Sequence, residues 1–290
     1  MSMVQAGLDA EARRARAAPG AGFDFEFEFT AADLSRVQRL MFEYSSVTLR
    51  DNKESMVYNR LSRRLRATGF RSFRKYLDWV EQPDSEEREK FVNALTTNLT
   101  SFFREPHHFD LLAAHAAARP ERSSLRVWSC ACSTGQEAWT AAMVLRESGR
   151  NGEILATDID SDVLRTAEAG IYRREQASGL DAARLRRFFL CGTDANEGMI
   201  KVGSELRAMV KFQMRNLLAP RAYSGERFDA IFCRNVAIYF DAPTQQELLG
   251  RLTAALVPGG LLFVGQSEMF PLGYPGLRSC GHTAYERVAG

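Results

Sequence analysis

Histidine and cysteine are scarce in this chain of 290 residues, with four and five respectively. The cysteines, Cys130, Cys132, Cys191, Cys233 and Cys280, form an odd set without paired C-x-x-C spacing. That pattern excludes a common zinc site and a small secreted disulfide framework, and it suits a reducing compartment. His107 and His108 have no third histidine or paired cysteine at ligand spacing, so no metal is expected. No run approaches the roughly 18 apolar residues of a membrane span, and Met1 to Gly22 has no apolar signal core. A cytoplasmic location follows as an expectation. Excess charge is also missing: the formal net charge is +2 and the pI about 8.3, which disfavours wholesale binding to nucleic acid or membrane. No period repeats, so solenoids and propellers are excluded.

What is present divides the chain in three. Residues 1–22 are low in complexity, contain Pro19, Gly20 and Gly22, and read as a disordered extension. Residues 23–115 carry apolar side chains at helical spacing, as in Leu34, Val37, Leu40, Met41 and Tyr44, then Met56, Leu61 and Leu65, then Phe73, Tyr76, Leu77 and Val80. This predicts an all-helical N-terminal domain. After the Ala-rich stretch and Pro120 the pattern becomes short apolar runs alternating with helices, which predicts an α/β domain over 116–290 with a parallel sheet. Strands are expected at Leu125–Ala131, Glu153–Thr157, Val210–Gln213, Phe228–Cys233, Leu261–Val264 and Ala284–Val288. Helices are expected at Glu137–Arg146, Asp162–Ala169 and Thr244–Ala255. Between Arg187 and Glu205, FFLCG, a polar turn and MIKV read as an antiparallel hairpin inserted in that domain.

The first strand, RVWSCAC, runs through STGQE into a helix, a geometry that presents backbone amides to a ligand. Gly135 stands alone there. Without G-x-G-x-x-G a pyrophosphate cannot approach the backbone closely, whereas an adenosyl ligand without phosphates does not need to. Asp158 ends the second strand about 20 residues on, where a carboxylate accepts hydrogen bonds from two ribose hydroxyls, unless Asp158 or Asp160 caps the next helix. Glu137, in the first turn of its helix, either meets a ligand ammonium or complements the helix dipole. Arg234 and Asn235 end the strand FDAIFCRN, at the crevice or in a solvated loop, and Tyr239 follows at the site or in the core. The run NLTSFFRE, read alone, is a helix end, with Thr100 or Ser101 capping the next helix. VPGGLLFVG reads as a structural connection. In RLSRRLRATGFRSFRK no acid separates Arg60, Arg63, Arg64, Arg66, Arg71, Arg74 and Lys75. Arg60, Arg63 and Arg64 share one helical face, which suits an acidic helix or nucleic acid.

In order along the chain, NLTSFFRE, STGQEAW, ATDID, RNLL, FDAIFCRNVAIYFD and LVPGGLLFVGQSE resemble the CheR family of chemoreceptor methyltransferases. The resemblance runs from about Phe29 to the C-terminus. It implies a Rossmann-like S-adenosylmethionine-dependent methyltransferase domain with an inserted antiparallel β-subdomain at about 187–205, behind an all-α domain. It also implies that Asn98, Thr100, Arg104, Glu137, Asp158, Asn216, Leu217, Arg234 and Asn235 bind S-adenosylmethionine, and that Arg104 and Tyr239 orient the acceptor. The chain departs from the family at Gln136 and at Ala138–Trp139, where GEEPY is common, and at Ala237, where a bulkier residue is usual. The implied reaction methylates glutamate carboxylates, which are already ionised at neutral pH and need no base. The implied partner is the helical bundle of a chemoreceptor, met by Arg60, Arg63, Arg64 and Arg66, with a receptor tail peptide at the β-subdomain. The alternatives are a CheR-like sensor of S-adenosylmethionine without transfer, a methyltransferase with another acceptor, and a nucleic-acid methyltransferase. Intact Arg104 and Tyr239 oppose the sensor, and near-neutral charge without an NPPY motif opposes the last.

Overall fold

The computed structural model describes residues 26–120, 124–219, 225–268 and 274–288, so the expected extension 1–22 lies outside the described residues. Helix α1, Ala31–Ser45, starts at a reciprocal cap: Thr30 Oγ1 accepts from Asp33 N, and Asp33 Oδ2 accepts from Thr30 N. Helices α2 (Glu54–Thr68), α3 (Phe73–Val80) and α4 (Glu87–Leu95) follow. Gly69 ends α2 at φ +79°, a left-handed conformation that a β-carbon would strain. The periodic side chains meet as expected: Val37, Leu40, Met41, Leu61, Leu65, Phe73, Tyr76 and Leu77 share one buried core with Phe91 and Leu95.

Helix α5, His107–Ala118, runs across the expected boundary at 115/116. Its Phe109, Leu112 and Ala116 belong to the core of the α/β part, and Phe109 stacks on Phe232 at 5.3 Å. Pro120 therefore marks the end of a helix, whereas the change of core falls between Leu95 and Phe102. The alanines that resemble a linker are small side chains on a helix packed against its neighbour, α6 (Gln136–Glu147).

The α/β part continues β1 (Leu125–Ser129), α6, β2 (Gly152–Asp158), α7 (Ser161–Ala169), β3 (Ile171–Arg173), α8 (Ala182–Phe188), β4 (Phe189–Cys191) and β5 (Met199–Val202). After α9 (Ser204–Arg207) come β6 (Val210–Met214), β7 (Phe228–Cys233), α10 (Ala242–Ala255), β8 (Leu256–Val264), β9 (Leu277–Gly281) and β10 (Ala284–Arg287). The main sheet has the order β6-β2-β1-β7-β8-β10-β9. Neighbours from β6 to β8 pair in parallel, but β10 pairs antiparallel with both β8 and β9. The expectation of a parallel sheet fails at this edge because only two residues, His282 and Thr283, join β9 to β10, and a parallel pair needs a long crossover. Strand β9 was not expected, since Leu277 alone in it is buried. The hairpin forms as expected, with Phe189 opposite Val202, and gains β3 as a third strand in the order β3-β5-β4. Strand order reverses between β1 and β7, so a crevice opens at their carboxyl ends.

Candidate active site

A cavity of about 580 Å³ occupies that crevice. Its floor comes from the ends of β1, β2, β6 and β7, and its roof from Val47–Arg50 and Met56 of the helical part and the linking segment Leu95–Thr100. Asn98, Thr100, Arg104, Glu137, Asp158, Asn216, Leu217, Arg234, Asn235 and Tyr239 all line it. Sequence positions spread over 142 residues (98 to 239, inclusive) thus converge on one space.

After β1 the chain turns sharply, with Ser133 at φ +50° and Gly135 at φ +94°. A β-carbon on Gly135 would meet Ala167 Cβ at 2.8 Å, which explains the single glycine. This turn aims Ser133 N at Asp158 Oδ2, 2.8 Å away, while Asp158 Oδ1 accepts from Asp160 N at 3.0 Å. Asp160, not Asp158, caps α7, accepting from Asp162 N and Val163 N. The capping alternative for Asp158 is thereby removed. Burial pushes the Asp158 carboxyl above its usual pKa, against the pull of the backbone donors.

Glu137 is held from two sides: Ser129 Oγ donates to Oε1 at 2.7 Å, and Arg234 Nη1 donates to Oε2 at 3.0 Å. Burial raises its pKa too, opposed by Arg234 and Ser129. Arg234 is itself buried, donating through Nη2 to the carbonyl of Arg104 at 2.6 Å and lying 3.5 Å from Glu105 Oε1. It is not a solvated loop residue. Asn98 joins the two parts: Nδ2 donates to Asp160 Oδ2 at 2.8 Å, and its carbonyl accepts from Ser133 Oγ at 3.1 Å. Arg104 Nη1 donates to the Leu99 carbonyl at 2.7 Å. Asn216 caps its own turn through Leu218 N, and Leu217 is buried beside it. Tyr239 lies in a short turn whose carbonyl accepts from Thr48 N of the helical part at 2.9 Å.

Sequence reasoning missed Ser129, Ser133 and Glu268, and it named Asp160 only as a helix cap, a role that Asp160 fills while also accepting from Asn98 Nδ2. For Glu268 the signal was available, since it follows the carboxyl end of β8 as Asn235 follows that of β7. It also missed that Glu105 brings a carboxylate to His107 and His108, with one possible ligand atom from each residue within 4.8 Å of the others. Arg234 lies against that carboxylate, and both imidazoles reach the carbonyl of His282, at 3.1 and 3.2 Å.

The basic run is far less uncompensated than its sequence. Arg64 pairs with buried Glu87, Arg66 with Glu26, and Arg60 donates to the carbonyl of Thr96. Their partners lie between 23 and 40 residues away, so no local charge count could reveal them. Arg63, Arg71, Arg74 and Lys75 remain exposed.

The donor set suits a cationic ligand rich in hydroxyls. Glu137 and Asp158 present carboxylates whose charged forms burial disfavours, and a bound ammonium and ribose hydroxyls would stabilise those forms. A doubly wound sheet with an acid ending β2, and without a glycine-rich phosphate loop, defines the class of S-adenosylmethionine-dependent methyltransferases. Comparison with known proteins is specific. Residues 98–283 match the CheR methyltransferase SAM binding domain, and residues 32–96 match the CheR methyltransferase all-alpha domain. The chain belongs to the CheR methyltransferase family, and its cofactor is S-adenosylmethionine. A chemotaxis protein methyltransferase of Klebsiella aerogenes is 48% identical over 244 residues, 82% of this chain and 83% of the relative. That of Escherichia coli is 47% identical over 245 residues, 82% of this chain and 85% of the relative. Chemotaxis protein methyltransferase 2 of Pseudomonas aeruginosa is 45% identical over 262 residues, covering 88% and 93%. Among the described residues no helix is long and apolar enough to cross a membrane.

Proposed function

We propose that this chain transfers methyl groups from S-adenosylmethionine to glutamate carboxylates on the cytoplasmic helical bundle of chemoreceptors, forming methyl esters that adjust sensory adaptation. The observation that carries this reading is the lack of a free histidine or carboxylate among the described residues that line the cavity. Among the described residues its lining holds no histidine, and its two carboxylates, Glu137 and Asp158, are both engaged by internal donors. An acceptor that is already ionised meets that condition, and a glutamate, with a pKa near 4.3, is ionised at neutral pH.

S-Adenosylmethionine supplies an electrophilic methyl carried on a sulfonium. Asp158 binds the ribose hydroxyls, Glu137 holds the ammonium, and Leu217 packs on the apolar face of the adenosyl group. Asn98, Thr100, Asn216, Arg234 and Asn235 complete the binding wall. Arg104 and Tyr239 orient the acceptor carboxylate and exclude water from it, so that catalysis rests on positioning. Arg104 spends one guanidinium nitrogen on the Leu99 carbonyl. This limits how tightly it holds the acceptor oxygen, and excess ground-state binding would raise the barrier.

The receptor meets the exposed cations Arg63, Arg71, Arg74 and Lys75, which steer an acidic helix toward the cavity. The edge strand β4 offers backbone groups for a receptor tail peptide, with Leu190 exposed beside them. Such tethering raises local concentration without altering the site.

The test is transfer of radiolabelled methyl from S-adenosylmethionine to membranes containing the organism's chemoreceptors, followed by mild alkali. Label released from receptor bands by alkali establishes carboxyl methyl esters. Cofactor binding by calorimetry without receptor labelling would overturn the acceptor assignment.

A further inference from the structure

Glu268 is almost fully buried, lies outside every strand and helix, and places both carboxylate oxygens on backbone N–H groups of the loop after β7. Oε2 accepts from Asn235 N at 2.6 Å and from Gly265 N at 2.8 Å, and Oε1 accepts from Ile238 N at 3.3 Å. Asn235 sits at φ +58°, a left-handed conformation that asparagine adopts more readily than other residues with a side chain, and Glu268 accepts from its N–H there. Close packing adds to this, because a β-carbon on Gly265 would collide with both the Asn235 side chain and the Glu268 carboxylate.

We infer that Glu268 is a positioning residue for the reaction: its carboxylate clamps the loop Asn235–Tyr239 and so sets the cofactor wall and the acceptor wall of the cavity together. Asn235 and Tyr239 both line the cavity, and Glu268 holds the chain at Asn235 and at Ile238, immediately before Tyr239. The far end of the loop is fixed by Thr48 N on the Tyr239 carbonyl, which connects the same clamp to the helical part. A carboxylate is required because its surroundings here are all donors. A glutamine would turn its NH2 toward a backbone N–H and leave at least one of these donors without its acceptor. The acceptor half of this inference rests on the function proposed above, whereas the cofactor half does not.

The test compares Glu268→Gln and Glu268→Asp with wild type in the full chain, by thermal unfolding, calorimetric binding of S-adenosylmethionine and steady-state transfer to receptor membranes. In folded Glu268→Gln protein the cofactor binds about ten-fold more weakly and kcat falls. Glu268→Asp, which keeps the charge but shortens the reach, recovers part of both and serves in place of Glu268→Gln if that variant does not fold. In a Tyr239→Phe background the kcat loss from Glu268→Gln shrinks, because part of it acts through Tyr239. Wild-type affinity and kcat in folded Glu268→Gln protein overturn the inference. So does a lower yield of folded protein with unchanged dissociation constant, KM and kcat per active site, since that is a purely structural role. Full additivity with Tyr239→Phe overturns the link to the acceptor wall. If wild type labels no receptor, the proposed acceptor is lost, and the calorimetric comparison still decides the clamp.

Discussion

Arg64 lays Nε and Nη2 on the two carboxylate oxygens of Glu87, at 2.7 and 2.8 Å, and Glu87 is wholly buried. Tyr76 donates its hydroxyl to the same carboxylate at 2.9 Å. The pair locks α2 to α4 through a planar fork that no other side chain reproduces.

Removing the guanidinium leaves a buried charge without its counter-ion. Arg64→Ala is expected to lower unfolding stability by about 3–5 kcal/mol. Arg63→Ala, on the same helix but exposed, should stay within about 0.5 kcal/mol of wild type. Urea denaturation of the two variants checks the difference. Equal midpoints would remove the structural role given to Arg64.

Asp158→Ala removes the acceptor assigned to the ribose hydroxyls together with the partner of Ser133 N and Asp160 N. Cofactor affinity should fall by about 100-fold or more, from two lost hydrogen bonds to a charged group at about 1.5–3 kcal/mol each. Calorimetric titration with S-adenosylhomocysteine measures it without turnover. Affinity within two-fold of wild type would place the adenosyl group elsewhere.

The contrast between Asp158 and Arg64 shows what the sequence could carry. Asp158 was legible because the rule that places it, an acid ending the second strand of a doubly wound sheet, depends on local pattern and spacing. The periodic apolar residues of α1 to α3 were legible for the same reason. Arg64 was misread as part of an unpaired basic face, because Glu87 lies 23 residues away and only the fold brings them together. The domain boundary was misplaced at the alanines of α5, since composition reports small side chains but not which core they pack against. Strands β3 and β9 escaped notice because neither buries enough side chains to leave an apolar alternation.

Once Arg60 and Arg64 are committed inside the molecule, the docking role falls on the cations left exposed. Charge reversal at Arg63 and Arg74 should raise KM for receptor membranes several-fold at low ionic strength while leaving cofactor affinity unchanged. The difference should shrink as salt approaches 1 M, where the Debye length falls to about 3 Å. Initial rates against receptor concentration at two salt levels test this. An unchanged KM at low salt would move the receptor to another face.

His108 supplies a pH dependence of defined sign. Burial, then the neighbouring Arg234 and His107, lower its pKa to about 3, against 6.5 for a free imidazole. The folded state therefore keeps it neutral while the unfolded chain takes up a proton below about 6.5, so its stabilising contribution is full above that pH and is lost as pH falls toward 3. Between pH 7 and pH 5 this amounts to about 2 kcal/mol. His115, also lowered chiefly by burial, adds a loss of the same sign. In His108→Gln the drop in unfolding free energy over this range should be smaller by about 2 kcal/mol, whatever the variant's stability at pH 7. Urea unfolding of both proteins at the two pH values measures it. Parallel slopes would mean that His108 accepts its proton in the folded state, in which case Glu105, 3.6 Å from Nδ1, is the group that stabilises it.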